Sequence, residues 1–497
     1  MKKFRCFSLI LCLSLVLQCA LPVSATETSR PEASAETTGA AETVPEATEA
    51  VFGTVCIQQG CRTIEGMVPL GGSERKLDTA QAAFLYELNT DTVVYSYNPD
   101  IKLAPGSLTK IVTGIVALQY CKLDDMVTVA SGIKSRLPVS NLTMNLTSEE
   151  EISVRDLMHG LLLIGANDAA VALAEHISGN RQAFVPLMNQ WVKQIGCSNT
   201  EFATVHGVDG GLSQTTARDM AKIVRAAIKN EDFREIFGVA EYEVPATNKS
   251  EARAKFRTTN HMRYNGTIEQ FYDNRVQGGM QSAEDSSGAC LAVTAENNKG
   301  MYYIGVVMGC VRTYASNGWS VETYGNFEDM TELLKFGFNN YKVNRIVYDG
   351  MSLGPFSVSG GESNAVGQAT VNIDSVVPVS AQMRNLTMSY DTDGVLSAPI
   401  QEGQRIATLA IKYRESCLAE VEVFAMGDVK ASGDTGVTIR SAAGRGGADA
   451  SGILSAIGTV CVIVLGLVAA YLAVNSYMRS RIRAQRRRRR ANRRRTR

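Results

Sequence analysis

Ser107 and Lys110 stand three residues apart in the stretch Leu103 to Leu118, directly after Pro105-Gly106. Leu108, Ile111, Val112, Ile115, Val116 and Leu118 recur at a spacing that predicts a helix with a broad buried face. On a helix, positions three apart share a face, so the hydroxyl and the amine are expected to meet. Ser107 also opens the helix, where free backbone N–H groups favour developing negative charge. A lysine amine held among Ile and Val side chains is poorly solvated, and desolvation lowers its pKa toward that of a usable base. The chemistry this predicts is acyl transfer, with Ser107 as nucleophile and Lys110 as base.

The S-x-x-K spacing by itself is weak, because the chain repeats it at Ser73/Lys76 and Ser131/Lys134 in polar, loop-like surroundings. Those copies are expected to be solvated serines beside surface lysines. Only Ser107 follows a turn and leads an apolar helix.

The elements that must position this pair follow from pattern. A β-hairpin is predicted with strands at Ala83–Tyr86 and Val93–Ser96 around an Asn89-Thr90-Asp91 turn. Met126–Val129 reads as a short strand. Helices are predicted from Ser153, from Ala169 to Ile177, from Gln182 to Ile195 and from Thr216 to Ala227. Two strands, from Gly288 to Ala295 and from Met301 to Cys310, flank an Asn297-Asn298-Lys299-Gly300 turn, and a helix over Asn326–Phe338 closes the region. Strands, then helices, then strands and a helix predict helices packed on an antiparallel sheet, an α+β fold. From about Asn344 the pattern changes to short alternating strands with Gly and Pro turns, which predicts a second, all-β domain over 344–426.

The ends carry addressing information. Residues 1–25 have the basic start, apolar run and small-residue site of a secretory signal peptide. Residues 26–75 form a spacer and linker, rich at first in Glu, Thr, Ala and Pro, expected to be disordered. A Gly/Ala/Ser-rich linker over 427–452 leads to an uncharged apolar stretch, 453–474, of the length of a transmembrane helix. The arginine-rich tail 475–497 follows at once, so a formal net charge of zero hides an acidic remainder. By the positive-inside tendency the tail is cytoplasmic and the large domain extracellular. A tail beside a span favours topology or anionic lipid over nucleic acid, and no nucleic-acid partner is expected.

Seven cysteines lie in the exported part, at 56, 61, 121, 197, 290, 310 and 417, widely spaced and odd in number. Cys56 and Cys61 could pair locally, while the others read as small buried residues. No Cys/His cluster has metal-ligand spacing and no phosphate-binding glycine motif is present, so neither metal nor cofactor is expected.

Together these residues resemble the low-molecular-mass penicillin-binding proteins that act as serine D-alanyl-D-alanine carboxypeptidases. The likeness runs from the hairpin through Pro105–Lys110, Asp156-Leu157 to Asn167–Glu175, Ala183-Phe184 to Met188-Asn189, Val205-His206-Gly207 and Thr216–Met220. It continues into Ala398-Pro399-Ile400 to Gly403-Gln404. The resemblance implies a penicillin-binding/β-lactamase-like domain over 76–343, with peptidoglycan stem peptides as substrate and β-lactams as acylating ligands. It also implies three converging motifs, S-x-x-K, S-x-N and K-T-G. The first is intact. In the second, Asn167 is present as substrate-orienting residue, but Gly165 stands in the serine slot. In the third, expected to begin the strand leading to Cys290, Met280, Gln281 and Ser282 replace Lys, Thr and Gly. The lost serine helps pass a proton to the leaving amine, a role worth roughly 10²–10⁴-fold. The lost lysine meets the terminal carboxylate, a contact worth about 1.5–3 kcal/mol. Arg275 and Gln281 are the nearest candidates to substitute for it.

Overall fold

The computed structural model describes residues 69–433, apart from 71–76, 139–141, 265, 267, 315 and 317–320. The expected signal peptide, most of the spacer, the Cys56/Cys61 pair, the Ser73/Lys76 copy, most of the linker after Gly427, the apolar stretch 453–474 and the arginine tail lie outside the described residues. Among the described residues, no helix is long and apolar enough to cross a membrane.

The centre is a five-stranded antiparallel sheet. Its strands are β1 (Ala82–Glu87), β2 (Thr92–Tyr97), β3 (Val276–Glu284), β4 (Gly288–Glu296) and β5 (Tyr302–Cys310), in the spatial order β2-β1-β5-β4-β3. Every residue of β1 is buried. That follows from its position, because both faces of the sheet are covered and alternate side chains serve different cores. Ala82, Phe84 and Tyr86 join the core beneath most of the helices. Ala83 and Leu85 join the other, shared with the last helix of this region and the C-terminal strands.

The helices are α1 (Thr109–Tyr120), α2 (Val154–Leu163), α3 (Asn167–Ser178), α4 (Arg181–Gln194), α5 (Ala217–Ala227), α6 (Glu231–Phe237) and α7 (Gly325–Asn340). Four of the seven start at capping residues in the sequence. Ser153, Asn180, Thr216 and Asn230 each accept a hydrogen bond from a backbone N–H in the first turn of the helix that follows. Helix α3 begins two residues before the expected Ala169, and the short α6 has no counterpart in the pattern reading. After α7 the described chain is mostly strand and turn, with a short 3₁₀ helix at Met383–Asn385, and includes a five-stranded antiparallel sheet whose central strand is Ser416–Ala425.

One expectation is corrected. Met280, Gln281 and Ser282 do not begin the strand leading to Cys290. They lie inside β3, the sheet edge, which turns at Asp285–Ser287 and pairs antiparallel with β4, placing Ser282 opposite Cys290. Gly278-Gly279 and the Asp-Ser-Ser-Gly turn break the apolar alternation by which β3 would otherwise be recognised.

Candidate active site

Pro105 and Gly106 bring the chain from the hairpin to the head of α1. Gly106 has a positive φ of +52°, and a Cβ there would fall 2.2 Å from the Ser282 hydroxyl oxygen and 2.7 Å from that of Ser287. Only glycine lets the turn sit this close to β3. Ser107 lies in the 3₁₀ turn Gly106–Leu108, and Lys110 lies in the first turn of α1. The expected meeting of their side chains is observed: Lys110 Nζ donates to Ser107 Oγ at 3.0 Å. A second bond, 2.7 Å to the carbonyl oxygen of His206, holds the amine in place.

That carbonyl is itself fixed by close packing. Gly207 has φ +77°, and a Cβ there would lie 1.9 Å from the Gly106 carbonyl oxygen. Thr113 Oγ1 ties the same segment to α1 through a 2.6 Å bond to the Val205 carbonyl. Lys110 is completely buried. Burial pushes its pKa down to about 7, with the Glu284 carboxylate pulling weakly the other way. Ser107 therefore has beside it an amine that is neutral in a large fraction of molecules at neutral pH. His206 is likewise held down, to about 4, by burial and by the charges of Lys110 and Arg181, with Asp209 opposing. Its ring is neutral, and Nδ1 accepts from the Val208 N–H at 3.1 Å.

The opposite wall is β3. Side chains two apart on a strand point the same way, so Met280, Ser282 and Glu284 share a face while Gln281 lies on the other. Ser282, 1% exposed, accepts the backbone N–H of Ser107 on its hydroxyl at 2.8 Å. The Ser107 hydroxyl donates to Glu284 Oε1 at 3.2 Å. Glu284 was not singled out from the sequence, although period two on the strand, once Ser282 is placed beside Ser107, points to it. Met280 is buried, and a Cβ on Gly165 would sit 3.8 Å from its terminal methyl. The two altered motif positions are thus neighbours in space.

Asn167 opens α3 and is fully buried, yet neither its side-chain oxygen nor its side-chain nitrogen has a hydrogen-bond partner. A buried amide in that state is expected to await a ligand or water. Next to it, Asp168 accepts the N–H groups of Met144 and Leu146 and so clamps the preceding loop to α3. Burial raises its pKa, against those hydrogen bonds.

Arg275 does not take the place of the missing lysine. It is committed to Asp273 through a 2.7 Å bond and lies over the Phe338 ring. Ser131 and Lys134, the second copy of the spacing, are exposed, and Ser131 donates to Glu149. Among the described residues, no three His, Cys, Asp or Glu side chains gather in a way that could hold a metal ion.

The sequence profile of D-alanyl-D-alanine carboxypeptidase matches residues 73–311. The D-alanyl-D-alanine carboxypeptidase DacA of Haemophilus influenzae is 32% identical over 363 residues, covering 71% of this chain and 86% of its own. The chain belongs to the D-alanyl-D-alanine carboxypeptidase family. The DacF carboxypeptidase of Bacillus subtilis is 28% identical over 71% of this chain and 87% of its own length. Among solved structures, penicillin binding protein 5 from Haemophilus influenzae is similar, with a TM-score of 0.55 and 29% identity over 72% of this chain and all of that one. The fold is thus the α+β fold of that family, helices on antiparallel sheet.

Proposed function

We propose that this protein is a serine-type D-Ala-D-Ala carboxypeptidase-like acyltransferase that is acylated on Ser107 by peptidoglycan stem peptides and by β-lactams. The observation that carries this is the 3.0 Å contact of Ser107 Oγ with a completely buried amine whose pKa lies near 7. In the resting site the Ser107 proton points to Glu284. Rotation about Cβ–Oγ turns it to Lys110 Nζ, which takes it as Oγ attacks the carbonyl carbon. The C–N bond then breaks as Lys110 gives that proton to the leaving amine, and water later hydrolyses the acyl-enzyme. Asn167, with both amide atoms free, is placed to orient the donor's backbone.

A second reading has its own support: a family member that binds cell-wall peptide or a partner protein with little turnover. The Ser107 N–H, an obvious donor for a developing oxyanion, is already bonded to Ser282. Met280 supplies neither charge nor donor, and Gly165 has no hydroxyl to shuttle a proton. Acylation that outruns deacylation accommodates both sets of observations.

Labelling of the full chain with a fluorescent penicillin tests the proposal. A covalent adduct lost in Ser107→Ala is expected, and absence of any adduct on folded protein sinks it. We further propose export by residues 1–25 and anchorage by 453–474, with the arginine tail cytoplasmic. Protease added outside intact cells should remove the large domain and spare the tail; the converse pattern refutes the orientation.

A further inference from the structure

We propose that Arg253, anchored by Glu150, is a positioning residue for Asn167. It bonds to none of Ser107, Lys110 and Asn167, and acts through the segment Leu142–Leu146, which it holds against the start of α3. The inference rests on acylation of Ser107 as proposed above and names a residue outside the site that sets its rate.

The segment is pinned group by group. The Asn167 N–H donates to the Leu142 carbonyl at 2.8 Å. Asp168 accepts the N–H groups of Met144 and Leu146 at 2.9 and 3.0 Å. Those bonds leave the Met144 carbonyl, and Arg253 Nε donates to it at 2.9 Å. Both backbone polar groups of Met144 are thus used, one toward α3 and one toward Arg253. Its side chain packs so closely on α2 that a Cβ on Gly160 would fall 2.1 Å from Met144 Sδ. The guanidinium is aimed by a 2.6 Å bond from Nη2 to Glu150 Oε1. Glu150 is completely buried, and it is aimed in turn by the Thr247 hydroxyl on the same oxygen and the Thr147 N–H on the other.

Stability alone does not account for this arginine. Its side chain is 8% exposed, and Nη1 is buried without a partner among the described residues. Burying a charged group with one N–H unanswered is costly, and apolar pairs of the same volume are often as stable. What an apolar side chain cannot do is donate to a backbone carbonyl and so fix an irregular segment in one register. Beyond the Leu142 bond, Asn167 carries a buried amide with both polar atoms unanswered. A Met144 carbonyl released from Arg253 must find another donor, and a segment that shifts to supply one carries the start of α3 with it through the Leu142 and Asp168 bonds. A displacement of about 1 Å in a group that orients a reactant costs on the order of 10²-fold in rate.

The test uses the full chain. Arg253→Met alone would strand the Glu150 carboxylate, so the variant is Glu150→Gln/Arg253→Met, with Arg253→Lys as the milder change should the double variant not fold. Hydrogen exchange read by mass spectrometry should speed up over Leu142–Leu146 and the first turn of α3, while the first turn of α1 exchanges as in the parent. Labelling of Ser107 by a fluorescent penicillin should slow on the order of 10-fold to 10²-fold. In an Asn167→Ala background the same change should cost less than about 3-fold, because the group it positions is gone. A merely structural role would cost the same factor in both backgrounds. Unchanged exchange, unchanged labelling, or equal losses with and without Asn167 would overturn the inference while leaving Ser107 acylation standing. Where Asn167→Ala takes too little label to measure, the exchange pattern decides: faster exchange confined to the segment and α3 supports the inference, and faster exchange that spreads to α1 overturns it. If the parent takes no label that Ser107→Ala abolishes, acylation itself is refuted and the inference falls with it.

Discussion

Replacing Ser282 by alanine deletes one oxygen, and that oxygen is the partner of the Ser107 N–H at 2.8 Å. In acyl transfer the negative charge forms on the former carbonyl oxygen, and the nucleophile's own N–H, at a helix start, is well placed to receive it. In this chain a donor's carbonyl must first displace the hydroxyl. Displacing a net hydrogen bond of about 0.5–1.5 kcal/mol costs roughly 2–10-fold in acylation. If the hydroxyl stays and the donor is never available, the loss approaches the 10²–10³-fold typical of removing one oxyanion donor. Ser282→Ala should therefore accelerate labelling of Ser107 by penicillin between about 2-fold and 10³-fold. The same change leaves a buried N–H without its protein partner in the resting state. Stability should accordingly fall by about 1–3 kcal/mol, less if water enters.

The two effects have opposite signs, which makes the outcome diagnostic. A general loosening of the site would lower both stability and acylation, whereas release of an occupied donor lowers one and raises the other. Second-order rate constants from time-resolved gel fluorescence, with thermal unfolding on the same samples, supply both quantities. An unchanged or slower rate in a cooperatively folded Ser282→Ala protein would show that the Ser107 N–H is not the oxyanion donor.

Two further outcomes are expected. Acylation of Ser107 should rise with pH through about 7 and then level, because only neutral Lys110 can take the proton; a flat profile from pH 5 to 9 removes Lys110 from that role. Between about 7 and its ordinary value of 10.5, the unfolded chain holds a proton on this lysine that the folded chain does not, so this group's contribution to stability rises with pH over that window. Met280→Lys should raise D-alanine release from a D-Ala-D-Ala peptide by roughly 10–10²-fold through a charged contact to the terminal carboxylate. Adding Gly165→Ser should help less than its chemistry alone suggests, since the space is free but φ is +69°. No gain from Met280→Lys, with folding intact, would place the carboxylate elsewhere.

How much of this was legible from sequence depends on whether the signal is local. The meeting of Ser107 with Lys110 needs only helical spacing and an apolar surround, and both are written in adjacent residues. The hairpin and most helices carry their own periodicity and caps, as Ser153 and Thr216 show. The motif departures at Gly165 and Met280 were visible as residue identities. What was not legible is tertiary. The position of β3 as an edge strand was hidden by its paired glycines, and Glu284 attracts no notice until the strand is laid beside α1. The stability of the Lys110 site depends on a carbonyl at His206, nearly a hundred residues away, that only packing of Gly207 against Gly106 brings within reach.

The altered positions around Ser107 are not spread evenly over the site. The α1 side keeps the Ser107/Lys110 pair and the carbonyl that holds the Lys110 amine. The β3 face differs from the family motif at Met280 and Ser282, and Glu284 follows on the same face. A buried N–H must find a partner, and a glycine at position 282 would leave that duty to water or to the donor's carbonyl. With serine there, the resting site satisfies the Ser107 N–H internally, and with Glu284 it satisfies the Ser107 hydroxyl as well. A ligand then exchanges one hydrogen bond for another and gains little from either. Affinity must come from groups that are still unsatisfied, chief among them the Asn167 amide, and from whatever interacts favourably with the Glu284 charge. On the proposed function, the Ser107/Lys110 pair at the head of α1 and the changed surface of β3 therefore act on different steps, the first on the reaction of Ser107 and the second on the binding that precedes it.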